Sequence, residues 1–128
     1  MHPFRATIET GDLDALPDLL AEDVRFLSPV AFAPYDGRPV VSAILRAVTR
    51  VFTDFRYVRE ISDGRDHALV FKARVGDREV HGCDFLHHDD SGLIDEFCVM
   101  VRPLSGAKAL SEAMAVQFEA AKREMGLA

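Results

Sequence analysis

A single carboxylate set among apolar neighbours is the residue of this sequence best placed to do chemistry. Asp84 interrupts the run Gly82-Cys83-Asp84-Phe85-Leu86, whose alternating texture reads as a strand. On an apolar strand face a carboxyl loses hydration, which penalises the charged form and raises its pKa. A carboxyl kept neutral donates a hydrogen bond to a substrate carbonyl. The competing role is a structural acid satisfied by a backbone or tyrosine partner. His67 is the second catalytic candidate, because it shares the parity of Asp84 and lies diagonally from it across two strands. Such an Asp-His pair passes a proton near neutral pH. Its place at a strand start, beside Arg65 and Asp66, suits a solvated rim residue equally well. Tyr35, Tyr57, Phe32 and Phe52 offer aromatic area and two hydroxyls for the mouth of a cavity, with core packing the plainer role for Phe52.

Two further sets of residues invite chemistry and are read as inert. His81, His87 and His88 stand near Asp89 and Asp90, but His87 and His88 point to opposite faces and the set lacks a recognised ligand spacing. No metal site is expected from them, and no cofactor. Cys83 and Cys98 lack a Cys-x-x-Cys spacing or a helix N-terminus that would lower a thiol pKa, so they are expected as reduced, packed thiols.

The elements that must position Asp84 follow from periodicity and turn residues. A short N-terminal segment, Phe4 to Thr10, ends at Gly11, and Asp12 is placed to cap a second helix through Leu20, kinked at Pro17. A strand over 23–28 stops at Pro29, and a loop runs to Gly37. Val40, Val41, Ile44, Leu45, Val48, Val51 and Phe52 recur at helical spacing behind Pro39. Strands are then predicted over 55–61, 67–75, 78–88 and 93–102, with a final helix carrying the stripe Leu110, Met114, Phe118 and Ala121.

Centring the last turn on Asp90-Ser91 sets Asp84 opposite Phe97 and Cys83 opposite Cys98, while the turn at Gly76-Asp77 sets Asp84 beside Leu69 and Phe71 beside Gly82. Phe71, Gly82, Asp84, Leu86, Phe97 and Val99 then share the inner face. Lys72, Arg74, Cys83, His87 and Cys98 share the outer one.

Helices followed by a meander and a closing helix describe an α+β domain with a curved antiparallel sheet packed on N-terminal, central and C-terminal helices. All 128 residues are read as one domain, with 48% hydrophobic and 28% charged residues as in ordinary globular chains. A net charge of −6 disfavours nucleic acid and anionic membranes as partners. Without a membrane-length apolar run or an export signal, a cytoplasmic protein is expected.

The chain resembles the nuclear transport factor 2-like superfamily, and its SnoaL-like branch in particular, which includes polyketide cyclases, ketosteroid isomerases and limonene epoxide hydrolases. The residues that carry the resemblance are Gly11-Asp12-Leu13, Asp23-Val24-Arg25-Phe26, Gly37 before the long helix, Asp84 with the turn ending at Gly92, and Leu93 to Phe97. The resemblance implies a cone-shaped, cystatin-like fold around a deep cavity and a homodimer through the outer sheet face. It places Asp84 at the strand position of an oxyanion-stabilising acid. It also places Ser28 where the isomerase base belongs and Phe4 where a phenol donor belongs. A serine does not abstract a carbon-bound proton unaided, so steroid isomerisation by that route is not expected. The epoxide hydrolase arrangement fails too, since the strand from Phe71 to Val75 offers Lys72 and Arg74 but no acid.

The reading that results is a pocket for a small, largely apolar or cyclic metabolite. Asp84 and His67 are its candidate catalytic groups, and Tyr57, Tyr35, Phe32, Ser28, Phe52, Phe71, Phe97 and Val99 its candidate walls. Any reaction would be cofactor-free acid-base chemistry of isomerase, cyclase or hydrolase type. The rival is a non-catalytic dimeric module for ligand binding or protein association, with its cavity filled by its own side chains.

Overall fold

The computed structural model describes residues 1–127. Helix α1 spans Pro3–Thr10, opened by the His2 imidazole accepting from the Phe4 N–H at 3.0 Å and closed by Gly11 in the left-handed region at φ 74°. The expected second helix is a 3-10 segment, Leu13–Leu19, since Pro17 inside it removes a backbone donor. Strand β1 (Leu20–Leu27) and a two-residue strand β2 (Tyr35–Asp36) follow, then α2 (Arg38–Val51), whose apolar positions face the sheet. Strands β3 (Thr53–Asp63), β4 (Asp66–Val75), β5 (Arg78–His88) and β6 (Ile94–Arg102) make the meander, and α3 (Leu104–Glu124) closes the chain.

One six-stranded sheet has the order β2-β1-β6-β5-β4-β3. It is antiparallel except where β1 runs parallel to β6. β2 was hidden from periodicity because two residues carry no alternation. Small residues Ala43, Ala47 and Ala121 let α2 and α3 approach closely over the open side of the sheet.

The β4–β5 register is as expected, with Leu69 opposite Asp84 and Phe71 opposite Gly82, across a two-residue turn at which Gly76 takes φ 60°. The β5–β6 register differs by two residues: Asp84 faces Val99 rather than Phe97, and Leu86 faces Phe97. Cys83 faces Met100 and Cys98 faces Phe85, so the free thiols are diagonal neighbours rather than opposed. The cause is the connection, which is longer than a two-residue turn. Asp89 Oδ1 accepts from the N–H groups of Ser91 and Leu93 at 2.8 and 3.0 Å, and a bulge follows His87. A slip of two leaves every side chain on its own face, so Asp84 still points inward.

The outer face holds two apolar rows. One runs Ile61, Ala68, Phe85, Cys98, and beside it lie Val70, Cys83 and Met100. Lys72, His81 and Arg102 flank the patch on one side, Asp66, His87 and Glu96 on the other.

Gly82 lies beneath the Phe71 ring, where an added Cβ would fall well inside contact distance of that ring and 2.8 Å from the Met100 carbonyl oxygen. The strand position is therefore reserved for a residue without a side chain. Gly82→Ala is expected to destabilise the fold by about 1–3 kcal/mol through overpacking, seen as a lower thermal unfolding midpoint. An unchanged midpoint would show that Phe71 is free to move aside.

Candidate functional site

Between the concave sheet face and the three helices lies a cavity of about 730 Å³. Strands supply Phe26, Tyr57, Phe71, Asp84, Phe97 and Val99 to its wall, all presented by period-two alternation toward the helices. α1 adds Phe4 and Ile8, α2 adds Ile44, Leu45 and Val48, and α3 adds Leu110, Met114 and Phe118. Aromatic contacts brace this lining. Phe55 stacks on Phe71 at 4.9 Å and meets Tyr57 edge-on at 5.0 Å, while Phe4 packs edge-on against Phe97 at 5.0 Å.

Asp84 is the buried polar focus of this wall, only 6% exposed. The Tyr57 hydroxyl donates to its Oδ2 at 3.2 Å. Burial pushes the carboxyl up to about 7, with the Tyr57 hydrogen bond pulling it back. The phenol is raised as well, by burial first and then by the negative charge of Asp84, so it stays protonated. Below pH 7 the pair therefore presents a neutral acid and a phenol in an apolar chamber, a donor arrangement that stabilises negative charge developing on a ligand oxygen.

Most of the residues singled out by sequence converge here. Tyr57, Tyr35, Ser28, Phe52, Phe71, Phe97 and Val99 line the same cavity as Asp84. The Ser28 hydroxyl oxygen accepts from the N–H groups of Val30 and Ala31 at 3.1 and 3.2 Å, which folds the loop after β1 and leaves its proton free to donate. Two residues depart. Phe32 is 103% exposed in that loop and does not line the cavity. His67 lies opposite Leu86 with the expected parity, but its ring is outside the cavity wall. Its Nδ1 pairs with Ser62 Oγ at 2.6 Å and its ring meets those of His2 and His88 in edge-on contacts. The expected Asp84-His67 proton pair is thus not formed, because the N-terminal segment, which sequence could not place, draws the imidazole away.

Sequence reasoning missed the part of α3 in the wall. Leu110, Met114 and Phe118 form a row at a spacing of four residues, and that row was the available signal. It also missed Glu9, which with Asp84 makes the two carboxylates on the wall among the described residues. Glu9 is exposed and tied to Arg5 at 2.8 Å, and the Arg5 guanidinium lies 5.7 Å from the centre of the Tyr57 ring.

Comparison with known proteins gives a consistent picture. A family model described as a SnoaL-like domain matches residues 2–97. A crystal structure of a steroid delta-isomerase from Pseudomonas aeruginosa is 48% identical, covering 91% of this chain and 87% of that one with a TM-score of 0.88. An uncharacterized protein with a cystatin-like fold from Silicibacter pomeroyi DSS-3 is 38% identical, covering 91% and 86% with a TM-score of 0.86. An NTF2-like protein of unknown function from Mesorhizobium loti, at 22% identity, 78% and 85% coverage and a TM-score of 0.70, shares the fold. No curated protein sequence matches.

The raised carboxyl has a consequence for stability. The folded chain holds the Asp84 proton more tightly than the unfolded chain, whose ordinary value is 3.8. Stability from this group is therefore full below that value and is lost as the pH climbs from 3.8 to about 7. Asp84→Asn, which cannot ionise, is expected to gain thermal stability relative to wild type across that window and to run parallel above it. A gap that stays constant through the window would show that Asp84 titrates as an ordinary surface acid.

Proposed function

The chain belongs to the SnoaL-like domain family, and on that footing we propose that its cavity binds a small, largely apolar molecule carrying a carbonyl or enol oxygen. The Asp84 carboxyl, held neutral beside Tyr57, is the observation that carries this reading. An apolar chamber of about 730 Å³ accommodates a fused-ring or polyketide-sized ligand, which argues against a cone filled by its own side chains. Asp84, itself accepting from Tyr57, donates to the ligand oxygen, Ser28 and Tyr35 offer further hydroxyls, and Phe52, Phe71, Phe97 and Val99 supply contact area.

The chemistry that such an arrangement favours is cofactor-free polarisation of a carbonyl, as in enolisation, isomerisation or cyclisation. The relative named as a steroid delta-isomerase makes fused-ring enones sensible first compounds to assay. Ser28 remains the obstacle to a steroid isomerase of the usual pattern, because no ionised acid stands at that position. Binding with carbonyl polarisation is accordingly the core of the proposal.

Binding can be followed with the fluorescent naphthyl ketone prodan, whose emission reports both an apolar site and a hydrogen bond to its carbonyl. Wild type is expected to bind it with a blue-shifted emission. Asp84→Asn is expected to weaken binding about tenfold, equivalent to about 1.4 kcal/mol, and Asp84→Leu to weaken it further. Equal affinity in all three proteins would remove Asp84 from the site.

The outer sheet face supports a homodimer. Phe85 is 41% and Met100 59% exposed at the centre of the apolar rows, between a basic flank and an acidic one. A two-fold axis running across the strands lays Lys72 and Arg102 of one copy over Asp66 and Glu96 of the other, satisfying both flanks at once. Sedimentation is expected to give twice the 14.2 kDa chain mass for wild type. Phe85→Arg is expected to sediment as a monomer that still binds prodan. A monomeric wild type would exclude this interface.

A further inference from the structure

Three imidazoles meet where α1 begins, outside the cavity wall. His2, His67 and His88 each bring one ring nitrogen within 4.8 Å of the others. They come from the start of the chain, the start of β4 and the end of β5, so tertiary folding alone assembles them. His2 is buried and the other two are half-buried. His2 Nε2 lies 2.7 Å from His88 Nε2, and the His67 ring packs edge-on against both neighbours at 4.6 and 4.9 Å. When His67 Nδ1 donates to Ser62 Oγ, its Nε2 carries a free lone pair, which is the outer hydrogen bond that orients a metal-bound imidazole. The Glu60 carboxylate accepts from the His2 backbone N–H at 3.0 Å and places a negative charge next to the cluster. His88 Nδ1 is buried without a hydrogen-bond partner among the described residues and carries the ring proton when Nε2 accepts from His2, which is the tautomer that leaves Nε2 as a ligating atom.

We propose that His2, His67 and His88 form a binding site for a divalent d-block cation of the zinc class. Neutral imidazole nitrogen suits zinc, copper, nickel and cobalt, whereas magnesium and calcium require oxygen. Bonds of about 2.0–2.1 Å set tetrahedral nitrogens roughly 3.4 Å apart. The His2–His88 pair opens slightly to reach that spacing and His67 closes. His2 shifts its proton from Nε2 to Nδ1 and gives up the bond from the Phe4 N–H, which the metal bond to the same ring replaces as the anchor of α1. Three protein ligands leave a fourth position for water. The cation pins the first residue ahead of α1 to two strands, and α1 carries Phe4 and Ile8 on the cavity wall, so occupancy stiffens that wall.

The test uses the whole chain, stripped with a chelator and titrated with Zn²⁺. Calorimetry is expected to show one ion bound per chain. The thermal midpoint is expected to rise by roughly 10 °C at about a hundredfold excess over Kd. X-ray absorption at the zinc edge is expected to report three imidazole nitrogens at about 2.0 Å. His67→Ala and His88→Ala should each weaken uptake by at least about 100-fold and Ser62→Ala by about tenfold. His87→Ala should bind as wild type does, with circular dichroism verifying the fold of each variant. The absence of saturable uptake, a sulfur or oxygen-only shell, or uptake that survives loss of both His67 and His88 would each overturn the proposal.

Discussion

Holding the Asp84 carboxyl away from water, with a single phenol as partner, is the constraint around which the rest of the chain is arranged. A charge in that position is costly, so the acid keeps its proton up to about pH 7. Tyr57 satisfies one oxygen at 3.2 Å and leaves the acidic proton without a partner among the described residues. A group in that condition gains from any ligand that brings an acceptor, which ties the energetics of folding directly to those of binding.

The cavity keeps its shape because its walls are stiff. Phe52, Phe55, Phe71 and Tyr57 brace one another at centroid separations of 4.9 to 5.6 Å, so none collapses inward without breaking its neighbours' contacts. Gly82 does the complementary work by letting Phe71 lie flat against the sheet rather than stand in the cavity. Alanines at the α2–α3 contact hold the two helices together beside the cavity, and the long side chains of α3 reach its wall.

Much of this was legible in the residues because strand parity depends only on alternation. The inward set Phe71, Gly82, Asp84, Leu86, Phe97 and Val99, the long α2 helix and the meander all follow from period and turn chemistry. Registry was less legible, since Asp89 uses its side chain to build a longer connection and no two-residue rule anticipates that. Phe32 was misplaced because an aromatic in a proline-punctuated loop carries no periodic signal. His67 was misplaced because its partners, His2 and His88, are distant in sequence and meet it only after α1 docks.

The capped connection between β5 and β6 also bears on how such a protein can diverge. Pairing that slides by an even number of residues keeps lining and exterior on their own sides, because side chains alternate along each strand. An odd slide of β6 would bring Cys98 and Met100 into the chamber in place of Phe97 and Val99, while Asp84, held by its own pairing with Leu69, stays inward. A change of two residues in this hairpin is therefore compatible with the present wall, whereas a single inserted residue must be absorbed by a bulge such as the one after His87.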